Sequence, residues 1–205
     1  MKSFFSSFGK SAKELTNVSC LCVTGIFIAV SMVLEMFSID LTYFKINFAF
    51  LAVAVIGMLF GPTVCLFAAM ICDIVGFIVH PSGAFLPAYT LVAGVQGLIY
   101  GMCLYTKIEL PFEKNNDSKH ELGVSFFVRA VIARLLDVCI INLILNTKLN
   151  MYYGFIPKAA FGVAVKARLA KNIFELAADI PLLFVILPAA YFAYKRMSLG
   201  RKTAA

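Results

Sequence analysis

The stretch Ile46–Val79 reads INFAFLAVAVIGMLFGPTVCLFAAMICDIVGFIV and carries one charged residue, Asp73. Two continuous apolar runs meet at Gly61-Pro62, a dipeptide that stops one helix and opens the next. The runs, Ile46–Phe60 and Thr63–Val79, hold about 15 and 17 residues, against the roughly 20 that cross a bilayer upright. Neither shows the alternation of a membrane-barrel strand. The stretch therefore predicts a tight helical hairpin inside a membrane, with short spans accommodated by irregular ends or local thinning.

Four further apolar runs flank this hairpin: Val18–Ile39 before it, then Phe85–Tyr105, Leu122–Leu145 and Arg168–Tyr194 after it. The whole chain agrees with a membrane setting. Of 205 residues, 61% are apolar and 14% charged, with mean hydropathy +0.91. A soluble domain carries roughly 25% charged residues, and one of this size has no interior large enough to hide so much apolar surface. In lipid every backbone N–H and C=O needs an internal partner, which leaves helices for runs of this kind. The expected fold is an all-α integral membrane protein of six transmembrane helices, a single membrane domain over residues 1–205.

Lysine and arginine placement orients it. Lys2, Lys10, Lys13, Lys107, Lys114, Lys119, Lys195, Arg196, Arg201 and Lys202 fall on one side, and Lys45, Lys148, Lys158, Lys166, Arg168 and Lys171 on the other. By the positive-inside rule both termini are cytoplasmic, as are segment 1–17, the polar loop 106–121 and the basic tail 195–205. The net charge of +7 then reflects topology and anionic lipid rather than nucleic-acid binding. No cleavable signal peptide is expected, because the polar start leads into a run long enough to span. Cys20, Cys22, Cys65, Cys72, Cys103 and Cys139 lie in apolar segments without the spacing of a metal or redox motif, and read as small buried hydrophobes.

Ionisable groups at membrane depth are costly and must face the bundle interior, a cavity or a partner. Here they are Glu35, Asp73, Arg129, Arg134, Asp137, Glu175 and Asp179. Arg134 and Asp137, three apart, share a helix face and can pair, and Glu175 and Asp179, four apart, share another. A second concentration lies at the outer ends of the spans: Tyr43, Lys45, Phe85, Pro87, Tyr89, Thr90, Asn142, Asn146, Arg168, Lys171 and Asn172. Aromatic faces there would stack on a flat heterocycle, the asparagine amides would match ring donors and acceptors, and Arg168 with Lys171 would hold an anionic end. The loops 40–45 and 80–84 are placed to cover such a ligand. An interfacial aromatic belt accounts for isolated rings but not for Asn142 and Asn146 one turn apart.

Catalytic signatures, metal-ligand clusters and a phosphate-cradling Gly-rich loop are missing from the sequence, so neither catalysis, a cofactor nor ATP hydrolysis is expected of this chain. Gly25-x-x-x-Ala29 places two small residues on one helix face, open to close approach by another helix.

Four stretches together resemble a known family. They are Gly57-Met-Leu-Phe-Gly61-Pro62 with Asp73-Ile-Val-Gly76, Phe85-Leu-Pro87-Ala-Tyr89-Thr90-Leu91 with Gly97-Leu-Ile-Tyr100-Gly101, Asn142-Leu-Ile-Leu-Asn146-Thr147 with Tyr153-Gly154, and Arg168-Leu-Ala-Lys171-Asn172. In order and spacing the chain resembles the S components of energy-coupling factor (ECF) transporters, most of all the folate-specific group, over about residues 18–195. The resemblance implies a cell-membrane subunit that binds a vitamin from outside. It implies as partners a transmembrane coupling subunit and two cytoplasmic ATPases, with Gly25 and Ala29 where the family docks on the coupling subunit. Folate is the expected ligand. Another vitamin or heterocycle, or a membrane-embedded enzyme acting on lipid, are the competing readings; the enzyme would need its acids aligned at one interface, whereas Asp73, Asp137 and Asp179 sit on three separate spans.

Overall fold

A computed structural model of the chain describes residues 8–9, 11–36, 39–41, 44–46, 48–79, 84–105, 124–155 and 161–203. The loop 106–121 and the turn 80–83 lie outside these residues.

The described chain is helical apart from one small β-hairpin. Helix α1 is Val18–Met36. Strands β1 (Ile39–Leu41) and β2 (Phe44–Ile46) pair antiparallel, with Asp40 opposite Lys45. Then come α2 (Phe50–Phe60), α3 (Pro62–Val79) and α4 (Pro87–Leu104). Helix α5 (Val124–Leu136) runs without a break into a wider π-helical segment, Asp137–Leu145, and on into α6 (Asn146–Tyr152). The last helix, α7, is Phe161–Thr203 and contains Pro181 and Pro188.

Four of these helices are long and apolar enough to cross a membrane: α1, α3, α4 and the part of α7 from Arg168 to Arg196. The expected second span is the main departure. Its first residue, Ile46, ends β2, and its helix is confined to the 11 residues of α2, every one of them buried. An apolar run signals burial from water, and this helix is buried by protein on all sides. The mixed segment 146–166, between the expected fifth and sixth spans, begins and ends in helix. Of the six cysteines, Cys20, Cys65 and Cys72 are buried as expected, but Cys22 and Cys139 face outward.

Helix α1 shows what kind of surface this is. Its buried residues are Cys20, Thr24 and Ser31, whereas Val18, Leu21, Ile26, Val30, Val33 and Met36 are exposed, Ile26 by 61%. Small polar groups inside and aliphatic groups outside is the arrangement that lipid favours and water does not. Gly25 and Ala29 lie on that outward face, and a β-carbon added to Gly25 would meet nothing within 4 Å.

Helices α2, α3 and α4 pack with their backbones nearly touching. A β-carbon on Gly97 would overlap the Cys65 carbonyl, and one on Gly101 would overlap Pro62. Such contacts supply the van der Waals packing that holds helices together where no hydrophobic effect drives them. Gly61 takes φ +87°, which an L side chain rarely adopts, and so turns α2 into α3 within one residue. Pro62 at the first position of α3 has no N–H to satisfy. The next two amides, of Thr63 and Val64, donate to Ser11 Oγ at 3.1 and 3.3 Å, while Ser11 donates to the Phe60 carbonyl at 2.8 Å. The N-terminal segment thus caps a helix some fifty positions further on.

Candidate ligand-binding site

The interior of α5 and α7 is charged. Arg134 bonds to Asp137 on its own helix face and reaches across to Asp179, its Nε donating at 3.0 Å. Its terminal nitrogen also donates to the Tyr100 hydroxyl at 3.2 Å, and its guanidinium lies 4.0 Å from the centre of the Phe50 ring. Arg134, Asp137 and Asp179 are all at most 5% exposed. A fixed, planar guanidinium set among two carboxylates, a phenol and a π face keeps its charge paired, the condition for holding a cation inside a membrane protein.

Arg134, Asp137 and Phe50 of this cluster form the floor of a cavity of about 260 Å³. One wall comes from α1 and α3: Ser31, Met32 and Glu35 face Cys72 and Asp73, and the Ser31 hydroxyl lies 3.2 Å from Cys72 Sγ. Gly76, one turn beyond Asp73, makes room for Glu35, whose Oε2 would stand 2.8 Å from a β-carbon there. Thr90, at the start of α4, donates to Asp73 Oδ2 at 2.6 Å. Val53 and Gln96 line the middle. The opposite wall holds Ile141, Asn142 and Asn146 from the π-helical segment and α6, with Lys171 and Glu175 from α7. Lys171 pairs with Glu175 at 3.0 Å.

The π-helical widening shapes this wall. It shifts the backbone bonding by one residue, so that the Asn146 amide donates to Ile141. The Asn142 carbonyl is held from the side: Thr147 Oγ1 donates to it at 3.3 Å and Arg168 at 3.2 Å. Asn146 Nδ2 in turn donates to Asn142 Oδ1 at 3.4 Å, which sets the two amides as a joined pair on the cavity surface.

Of the residues expected at a ligand site, Asn142, Asn146 and Lys171 line this cavity. Thr90 and Arg168 adjoin it through Asp73 and the Asn142 carbonyl. Tyr89 lies apart: its hydroxyl donates to Asn150 at 2.6 Å and its ring stacks on Tyr153 at 6.2 Å. Phe85 packs on Phe77, with ring centres 5.1 Å apart, and Pro87 opens α4; neither lines the cavity. Asn172 is buried beside Lys171, with Nδ2 lacking a hydrogen-bond partner among the described residues. Lys45 belongs to β2, and Tyr43 lies outside the described residues.

The residues that outer-end reasoning missed are Ser31, Glu35, Phe50, Asp73, Gln96, Arg134, Asp137 and Glu175. Five of them, Glu35, Asp73, Arg134, Asp137 and Glu175, are among the seven ionisable groups at membrane depth, whose cost in lipid was the available signal. Among the described residues no cluster of metal-binding side chains occurs.

A bundle of apolar-surfaced helices around a charged, amide-lined cavity defines a class: membrane proteins that hold a polar solute between their helices. A family model, "ECF transporter, substrate-specific component", matches residues 20–187, and the chain belongs to that family. It is accordingly a multi-pass membrane protein and a transporter component, not an enzyme. Among curated relatives, the folate transporter FolT of Clostridium novyi (strain NT) is 27% identical over 191 residues, covering 93% of this chain and 98% of that one. FolT of Leuconostoc mesenteroides subsp. mesenteroides is 22% identical over 159 residues, 78% of this chain and 79% of that one. A crystal structure of FolT bound with folic acid superposes with a TM-score of 0.64 at 26% identity, covering 81% of this chain and 92% of that chain.

Proposed function

We propose that this chain captures folate at the outer face of the membrane for an ECF importer. The observation that carries this reading is the cavity's joined asparagine pair, Asn142 and Asn146, set beside the cations Lys171 and Arg168. Amides of this kind match the alternating donors and acceptors of a pteridine, and the two cations match the carboxylates of a glutamate tail. The likeness to proteins named as folate transporters, one of them solved with folic acid, supports the same ligand. Tyr43, Lys45, Phe85, Pro87, Tyr89, Thr90 and Asn172 are assigned to the outer approach and its surroundings.

In this reading six membrane passes are made, α2 supplying the short second one, and both termini, segment 1–17, loop 106–121 and tail 195–205 are cytoplasmic. The outer hairpin β1–β2 and the 80–84 turn act as covers over the ligand. Gly25 and Ala29, on the outward face of α1, form the notch on which a transmembrane coupling subunit docks, with two cytoplasmic ATPases behind it. Proteoliposomes holding all four subunits should accumulate labelled folate only with ATP inside the ATPase-facing compartment. Accumulation of a different vitamin, with folate neither taken up nor competing, would replace the ligand and keep the role.

A further inference from the structure

The cavity's charges do not balance, and the imbalance is local. Four carboxylates and two cations line it. Lys171 is paired with Glu175, and Arg134 is shared between Asp137 and Asp179. That leaves Glu35 and Asp73, on the α1–α3 wall, with no cation in salt-bridge reach among the described residues. Asp73 takes one hydrogen bond, from Thr90 to Oδ2. Glu35 is set against Gly76, in space that any larger residue would fill. Asp137, on the floor of the same cavity and 1% exposed, keeps Oδ1 without a hydrogen-bond partner among the described residues. An uncompensated carboxylate at membrane depth costs several kcal/mol. A wall that keeps two of them, above a floor with an acceptor to spare, is built to receive hydrogen-bond donors.

We infer that Glu35 and Asp73 determine specificity by reading the donor edge of the ligand's ring, opposite Lys171 and Arg168, which take its anionic end. The inference rests on the folate reading and deepens it. In a 2-amino-4-oxopteridine, N3–H and one amino N–H are adjacent donors, spaced as in a guanidinium, that one carboxylate accepts in parallel, and the second amino N–H is left for the other carboxylate. The ligand thus lies across the cavity: its donor edge meets the acidic wall and its tail the basic rim. A heterocycle lacking that donor pair would leave both carboxylates desolvated and unpaired, which is how a polar site rejects a near-isostere. Asp73 is oriented for this by Thr90, a residue that touches the ligand's reader rather than the ligand.

The test is titration of the purified chain and of Asp73→Asn and Glu35→Gln with two probes: folic acid, and folic acid lacking its 2-amino group. The two variants keep side-chain shape and remove charge at separate helices, so one failing to fold leaves the other to read. The wild type should bind folic acid the more tightly. Each variant should lose about 10- to 100-fold on folic acid, the worth of a charge-assisted hydrogen bond, and much less on the desamino probe. Equal losses on both probes, or none, would overturn the assignment while leaving the folate reading intact. A wild type that binds neither probe would instead overturn the folate reading, and the assignment with it.

Discussion

Arg134 on α5 and Asp179 on α7 are joined in the core by two nitrogens of one guanidinium, both reaching the same carboxylate oxygen. The bond ties the last helix to the rest of the bundle beneath the cavity, and it shares its cation with Asp137. Arg134 therefore pairs with two buried carboxylates at once.

Removing that cation strands both. Arg134→Met should cost about 3–5 kcal/mol, as does loss of one partner from other buried ion pairs. Replacing Arg134, Asp137 and Asp179 together with apolar residues of similar volume should restore much of it. Thermal unfolding in detergent, followed by circular dichroism, checks both. A single variant as stable as the wild type would show that the cluster does not hold α7 in place.

Close backbone packing of α3 on α4 leaves no room at Gly101, where a β-carbon would overlap Pro62. Gly101→Val should destabilise by about 1–3 kcal/mol or more, the range for overpacking a filled interior. Gly25→Val, where a β-carbon meets open space, should leave the unfolding midpoint unchanged. The same thermal assay reads both.

The docking role proposed for Gly25 and Ala29 predicts that capture and delivery can be separated. Ala29→Trp should leave folic acid binding by the isolated chain unchanged, because that face is turned away from the cavity. It should abolish co-purification with the coupling subunit, since a large side chain blocks close helix approach. Intact assembly would place the docking surface elsewhere.

The hairpin β1–β2 has a consequence in exchange kinetics. Two three-residue strands form a marginal pair on their own, so their amides should exchange fast in the free chain. Folic acid should slow them markedly if the hairpin closes over it. Unchanged exchange at saturating ligand would remove the hairpin from the site.

How far the fold was legible follows from what each feature depends on. Hydrophobic run length marked α1, α3 and α4 to within a few residues, because lipid-facing helices need local apolarity and little else. Gly61-Pro62 marked the α2–α3 turn for the same reason: positive φ and a missing N–H are local properties. Arg134 and Asp137 were legible as a pair because i and i+3 share a helix face. Helix α2 was misread in extent because apolarity reports burial without saying whether lipid or protein does the burying. The π-helical widening at Asp137–Leu145 has no local signature in the sequence. Its effect, bringing Asn142 and Asn146 together toward Lys171, depends on Arg168 reaching the Asn142 carbonyl from another helix. The acidic wall was visible only as isolated costs, Glu35 and Asp73; that they line one cavity is tertiary. Ser11, capping α3 from the N-terminal segment, is wholly so.

The central claim is that this chain holds folate by itself, and calorimetric titration of the purified protein with folic acid tests it most directly. Tight one-to-one binding, weakened about 10- to 100-fold by Arg168→Ala through loss of one charged contact to the ligand's tail, is the predicted result. An absence of binding by correctly folded protein that takes up another vitamin would contradict it.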